Sequence, residues 1–131
     1  MTSTAAKAVI DYIEDHRLPA NCAETGAYLR GRLVELQEKH EIIGEVRGMG
    51  LLQAIELVED RQTKAPATAA TVQAMEAARA NGLLLGRGGM YGNVLRFSPP
   101  MNIGRSDVDQ FIGMLDKALA TVGAVMAGGR K

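Results

Sequence analysis

The stretch Ile42-Ile43-Gly44-Glu45-Val46-Arg47-Gly48-Met49-Gly50-Leu51-Leu52-Gln53-Ala54-Ile55-Glu56-Leu57-Val58 decides the fold. Its first six residues read as a strand, Gly48-Met49-Gly50 as a bend, and Leu51 to Val58 as a second extended run. Within that run Leu52, Ala54, Glu56 and Val58 face one way, and Leu51, Gln53, Ile55 and Leu57 the other. The second set is the more apolar, although Gln53 interrupts it, so one face is buried and the other is not. Strands joined by so short a bend pair antiparallel.

Helical periodicity flanks this pair. Upstream, Pro19 suits the first turn of a helix running to about Lys39, with Cys22, Gly26, Leu29, Leu33 and Leu36 spaced alternately by four and three. So few repeats fit a helix packed on a sheet better than a coiled coil. An earlier helix, Ser3 to His16, carries an apolar stripe at Ala5, Ala6, Val9, Ile10 and Ile13, with Ser3 or Thr4 as its candidate cap. A chain that opens almost inside a helix reads as cut from something longer. Downstream, Asp60 to Pro66 is a polar loop, Ala67 to Asn81 an alanine-rich helix, and Asn81-Gly82 its stop. Leu83-Leu84-Leu85 is expected to be a short strand, Gly86 to Asn93 a glycine-rich turn, and Val94 to Phe97 a strand halted by Pro99-Pro100. Ser106 is expected to open the last helix, with Asp109 in the capping-box position. The order is therefore α-α-β-β-α-β-β-α, an α+β domain with a small, mostly antiparallel sheet and helices on one face. The domain is expected to span 1–122, with 123–131 a frayed tail.

Composition narrows the function classes. At 131 residues the chain is one domain, and 47% apolar with 23% charged residues is an ordinary globular balance. Fifteen Lys and Arg balance fifteen Asp and Glu, so the clustered basic excess of a nucleic-acid binder is absent. No apolar run approaches the roughly 18 residues of a membrane span. The start, MTSTAAKAVIDY, has neither a basic lead-in nor an uninterrupted apolar stretch, so a cytoplasmic location is expected. Cys22 alone makes no internal disulfide, and two scattered histidines do not complete a zinc site. Fifteen glycines, no tryptophan and five other aromatic residues leave a core of modest area, suited to a chain that leans on a larger partner.

Few residues carry chemistry. Gly86-Arg87-Gly88-Gly89-Met90-Tyr91-Gly92-Asn93 fails as a phosphate cradle, because Tyr91 stands where the dinucleotide pattern needs glycine and a strand follows instead of a helix. Gly48 and Gly50 fail likewise, with Gln53 in the third position. Both read as turns needing positive φ. His16 and His40 are read as partners of helix C-terminal carbonyls, and Cys22 as a small buried thiol. Lys64, in a polar loop, shows no sign of a lowered pKa. Arg96 is different. It lies mid-strand between Leu95 and Phe97, where a guanidinium must reach solvent or meet a carboxylate or phosphate. On charge logic alone an ion pair within the domain is the simpler reading.

The stretches Val46 to Leu57 and Gly92-Asn93-Val94-Leu95-Arg96-Phe97-Ser98-Pro99-Pro100-Met101 resemble two signatures of class III pyridoxal-phosphate-dependent aminotransferases. Their order, their separation and the helix that follows agree, and the alanine–glyoxylate aminotransferase-like group is the best likeness. The resemblance covers nearly the whole chain but implies only the C-terminal small domain of a fold-type I enzyme. It implies that Arg96 binds the substrate carboxylate, which reverses the reading from charge, and that Arg47 is structural, holding the turn with Gly48 and Gly50. It also implies a complete enzyme that moves an amino group from an amino acid to a 2-oxo acid. Pyridoxal 5'-phosphate, the Schiff-base lysine and the phosphate-binding residues would lie in an upstream large domain. This chain would then contribute no catalytic residue, bind no cofactor alone, be inactive alone, and need that large domain and a second subunit of a homodimer. The alternative from another class is a free-standing protein-interaction module that uses an exposed sheet face.

Overall fold

The computed structural model describes residues 2–128. Its elements are α1 (Thr2–Asp15), α2 (Leu18–Lys39), β1 (Ile43–Met49), β2 (Leu52–Leu57), α3 (Thr68–Ala80), β3 (Gly86–Gly88), β4 (Val94–Phe97) and α4 (Arg105–Gly128). The strands form one antiparallel sheet in the order β1-β2-β4-β3. This is the expected α+β arrangement. The face read as apolar in β2 is the buried one: Leu51, Gln53, Ile55 and Leu57 are all buried. They join Leu29 and Leu33 of α2, Ala74 of α3 and Leu115 and Leu119 of α4 around one core. Gln53, the interruption, turns its amide back to donate to the Gly50 carbonyl at 2.7 Å.

Local chemistry sets the helix ends. Arg17 takes a left-handed turn at φ 49°, and Pro19 follows within the first turn of α2, where a missing N–H costs nothing. The far end of α2 is closed by Arg61, whose guanidinium donates to the carbonyls of Gln37, His40 and Glu41. Asp60 folds the intervening loop by accepting from the Gln62 and Thr63 N–H groups. Gly82, at φ 84°, ends α3 as the Asn81-Gly82 pair implied.

Three expectations change. Leu83 to Leu85 is not a strand; pairing with β4 starts at Gly86, inside the segment read as a turn. The reason is register: the turn closes on Gly89 and Gly92, both at positive φ, which places Gly86–Gly88 opposite Val94–Arg96. Beyond Phe97, β4 gives way to Pro99-Pro100, leaving the leucines no strand to pair with. Second, Ser3 and Thr4 lie inside α1 and cap nothing, and no α1 residue is buried. Third, α4 starts at Arg105, and Asp107, not Asp109, accepts from the Gly104 N–H at 2.8 Å. Asp109 instead accepts the Tyr28 hydroxyl. α4 is assigned through Gly128, and residues 129–131 of the expected tail lie outside the described residues.

Candidate functional site

The register brings four residues of four strands into one row. Arg47 is opposite Ala54, Ala54 is opposite Arg96, and Arg96 is opposite Gly86. Strand alternation puts this row on the outer side of the sheet, away from the core helices. A second row runs Glu45, Glu56, Val94, Gly88. On the other flank Met49 is opposite Leu52, 85% and 56% exposed. The outer side therefore grades from carboxylates through two guanidiniums to apolar side chains.

Arg47 is consumed locally. One of its nitrogens donates to Glu45 at 2.7 Å and to Glu56 at 2.5 Å. The Arg47 guanidinium holds the Glu56 carboxyl below the ordinary range, with burial opposing it and the Asn93 amide helping. Asn93 is buried and also donates to the Leu57 carbonyl at 2.9 Å. Arg47 is thus a clip between β1 and β2. The turn itself is gripped by Arg30, which donates to the Gly48 carbonyl, and by the close approach of Gly26 to Gly50.

Arg96 is the opposite case. It is exposed between buried Leu95 and Phe97, and no hydrogen bond or ion pair ties its guanidinium to any described residue. The ion pair that charge logic favoured is not formed. Ala54 on one side and Gly86 on the other leave it without walls. Beside it opens a cavity of about 210 Å³ lined by Leu29, Leu85, Phe97, Ile103 and Phe111, with Arg96 and Asp107 its charged members.

The other candidates sit elsewhere. His16 meets the Tyr12 carbonyl at 3.0 Å, as expected of a helix end. His40 does not; its Nε2 lies 2.6 Å from Asp116 of α4, a carboxylate that Lys39 also grips at 2.6 Å. Cys22 is half-buried rather than buried, with its Sγ 3.9 Å from the Met101 carbonyl. Lys7, Lys39, Lys64 and Lys117 are all exposed, and none sits in the desolvated pocket that favours a Schiff base. The glycine turn opens a strand, so it presents no helix N-terminus to a phosphate. Among the described residues no helix is long and apolar enough to cross a membrane.

The class-III aminotransferase family model matches residues 1–119. The chain belongs to that family. It is similar to an alanine–glyoxylate aminotransferase 2 homolog of Arabidopsis thaliana, 43% identical over 120 residues, covering 92% of this chain and 25% of the relative. Among solved structures, a phospholyase from Arthrobacter in complex with phosphoethanolamine superposes with a TM-score of 0.86 at 35% identity, over 91% of this chain and 28% of that one. A pyridoxal-phosphate-bound amine transaminase from an uncultivated Pseudomonas species gives 0.82 at 36% identity, over 91% and 27%. The chain thus spans about a quarter of these proteins. In this class-III domain the two signature stretches are β1–β2 and β4, the strands that build the arginine row. Sequence reading missed Glu45 and Glu56 as the carboxylates that neutralise Arg47, and Asn93 as a donor to Glu56. The one available signal was cross-strand: two carboxylates at outward positions of adjacent strands beside an outward arginine.

Proposed function

We propose that this chain is the C-terminal small domain of a class-III aminotransferase and that Arg96 takes the carboxylate of its substrate. One observation carries the reading: a guanidinium set mid-strand, exposed and without a partner among the described residues, in a sheet whose neighbouring arginine is doubly paired. The strand holds the base of the side chain and Pro99-Pro100 stiffens the exit, so the planar fork is ready for a planar anion. A paired, charge-assisted contact in a partly dry site contributes about 1.5–3 kcal/mol.

The reaction proposed for the complete enzyme moves an amino group from an amino acid to a 2-oxo acid. The exposed lysines, and a glycine turn that leads into a strand instead of a helix, support a site for the family's pyridoxal phosphate elsewhere than on the described residues. The Schiff-base lysine and the phosphate site are therefore assigned to a large domain outside this chain, and the chain alone is expected to be inactive. Cytoplasmic residence and a homodimeric complete enzyme belong to the same reading. The apolar stripe of α1, with Val9 and Ile10 exposed, together with exposed Met49 and Leu52, supports a large-domain partner.

Steady-state kinetics with matched donors, one with and one without a carboxylate, tests the reading. In the complete enzyme Arg96→Ala should lower kcat/KM for the amino acid by roughly ten- to a hundredfold and spare the amine. Arg96→Lys should rescue in part, since a point charge does not reproduce the fork. Equal losses for both donors would make Arg96 a structural residue and sink the assignment.

A further inference from the structure

Gly86 is unusual for a strand residue in having no local reason to be glycine. Its φ is not positive, unlike Gly89 and Gly92 in the same hairpin, so the backbone accepts any L-residue there. Glycine inside a strand loses both entropy and packing, and marks places where another group needs the room. Here that group is Arg96. Gly86 pairs with Arg96, and a Cβ at position 86 would lie 3.5 Å from the Arg96 carbonyl oxygen, 3.9 Å from its Nε and 4.0 Å from its Cβ. A Cβ at Gly88, the next outward position of the same strand, would meet nothing within 4 Å. The outer side of β3 is thus a bare strip, and the arginine stem runs beside it.

We infer that Gly86 is a positioning residue for Arg96: its missing side chain keeps the outer side of β3 clear, so that the guanidinium can turn both N–H edges toward a carboxylate. The inference rests on the reading of Arg96 given above. A single methyl at 86 makes only ordinary contact with Arg96, whereas the γ-carbons of valine reach into the space beside Nε and displace the fork. Phosphate-like or carboxylate ligands that need two parallel hydrogen bonds should suffer, and ligands that need none should not.

The test is a graded set, Gly86→Ala, Gly86→Val and Gly88→Val, with Arg96→Ala run in parallel. In the chain itself, phenylglyoxal labelling mapped by mass spectrometry reads access to each arginine. Gly86→Val should slow labelling of Arg96 several-fold while Arg17 and Arg87 label as before, and Gly86→Ala and Gly88→Val should change little. In the complete enzyme Gly86→Val should raise KM for carboxylate donors by about tenfold, with kcat kept within about twofold and amine donors unaffected. Gly86→Ala, which keeps the fold with least disturbance, should fall between wild type and valine. Unchanged Arg96 labelling in Gly86→Val, or equal effects from Gly86→Val and Gly88→Val, would overturn the inference. If Arg96→Ala is selective for carboxylate donors and Gly86→Val is not, positioning fails while the Arg96 reading stands. If Arg96→Ala is unselective, the Arg96 reading itself fails.

Discussion

The two edges of the sheet are built on different terms. At the β1 edge, α2 presses against the β1–β2 turn so closely that a Cβ on Gly26 would lie 2.1 Å from the Gly50 carbonyl carbon. There Arg47 is shared between Glu45 and Glu56, and Asn93 locks Glu56 from the next strand. At the β3 edge Gly86 and Gly88 leave the outer side bare, and Arg96 has no partner among the described residues. Both arginines stand in one row of one sheet. What separates them is whether the domain supplies the counter-charge. An arginine satisfied at home contributes to stability, and one left open is available to a ligand, because a guanidinium does not shed its charge.

That contrast can be broken at several points, and the largest effect should come from Gly26→Ala. Its methyl would collide with backbone, so helix and turn must separate, at a cost of about 3 kcal/mol. Urea unfolding followed by circular dichroism measures it, and a loss under about 1 kcal/mol would show that the contact is soft.

Arg47→Ala should rank next. It removes two charge-assisted bonds and leaves Glu56 without its cation, but the guanidinium side chain is 41% exposed, so water screens part of the loss. A cost of about 1–2 kcal/mol at pH 7 is expected. The pH dependence gives the sign. Arg47 depresses the folded-state pKa of Glu56, so its contribution is present above the unfolded value of about 4.3 and is lost as pH falls through the lower folded value. The gap between wild type and Arg47→Ala should therefore narrow on acidification below about pH 4. A gap independent of pH would mean that Arg47 stabilises by packing alone. Asp116, held low chiefly by Lys39 and secondly by His40, adds acid sensitivity of the same sign. It persists in the Arg47 variant and so serves as an internal reference.

The smallest effects belong to the open edge. Arg96→Ala should leave the stability of the chain within about 0.5 kcal/mol, since no bond is lost. Gly88→Ala should stabilise by about 0.5 kcal/mol, because its φ suits alanine and nothing stands in the way. Destabilisation above about 1 kcal/mol by either would give the β3 edge a structural role that the geometry does not provide.

The amino-acid sequence by itself determined the order of elements, the buried face of β2 and the apolar seam of α2, because periods of two and 3.6 residues are local properties of the chain. It also carried the two family signatures and singled out Arg96 as a charge in a stretch built for burial. It did not show what pairs with either arginine, since both stand in extended segments whose neighbours across the sheet are set elsewhere in the chain. The β1–β2 pairing put Arg47 beside Glu56 and the β2–β4 register put Arg96 opposite Ala54, and these two registers decided which of them is neutralised. The β3–β4 register placed β3 on Gly86–Gly88 instead of the leucines, and the packing of α4 on α2 took His40 from a helix end to Asp116. These are agreements between residues far apart along the chain, and they come into being when the sheet closes and the helices pack on it.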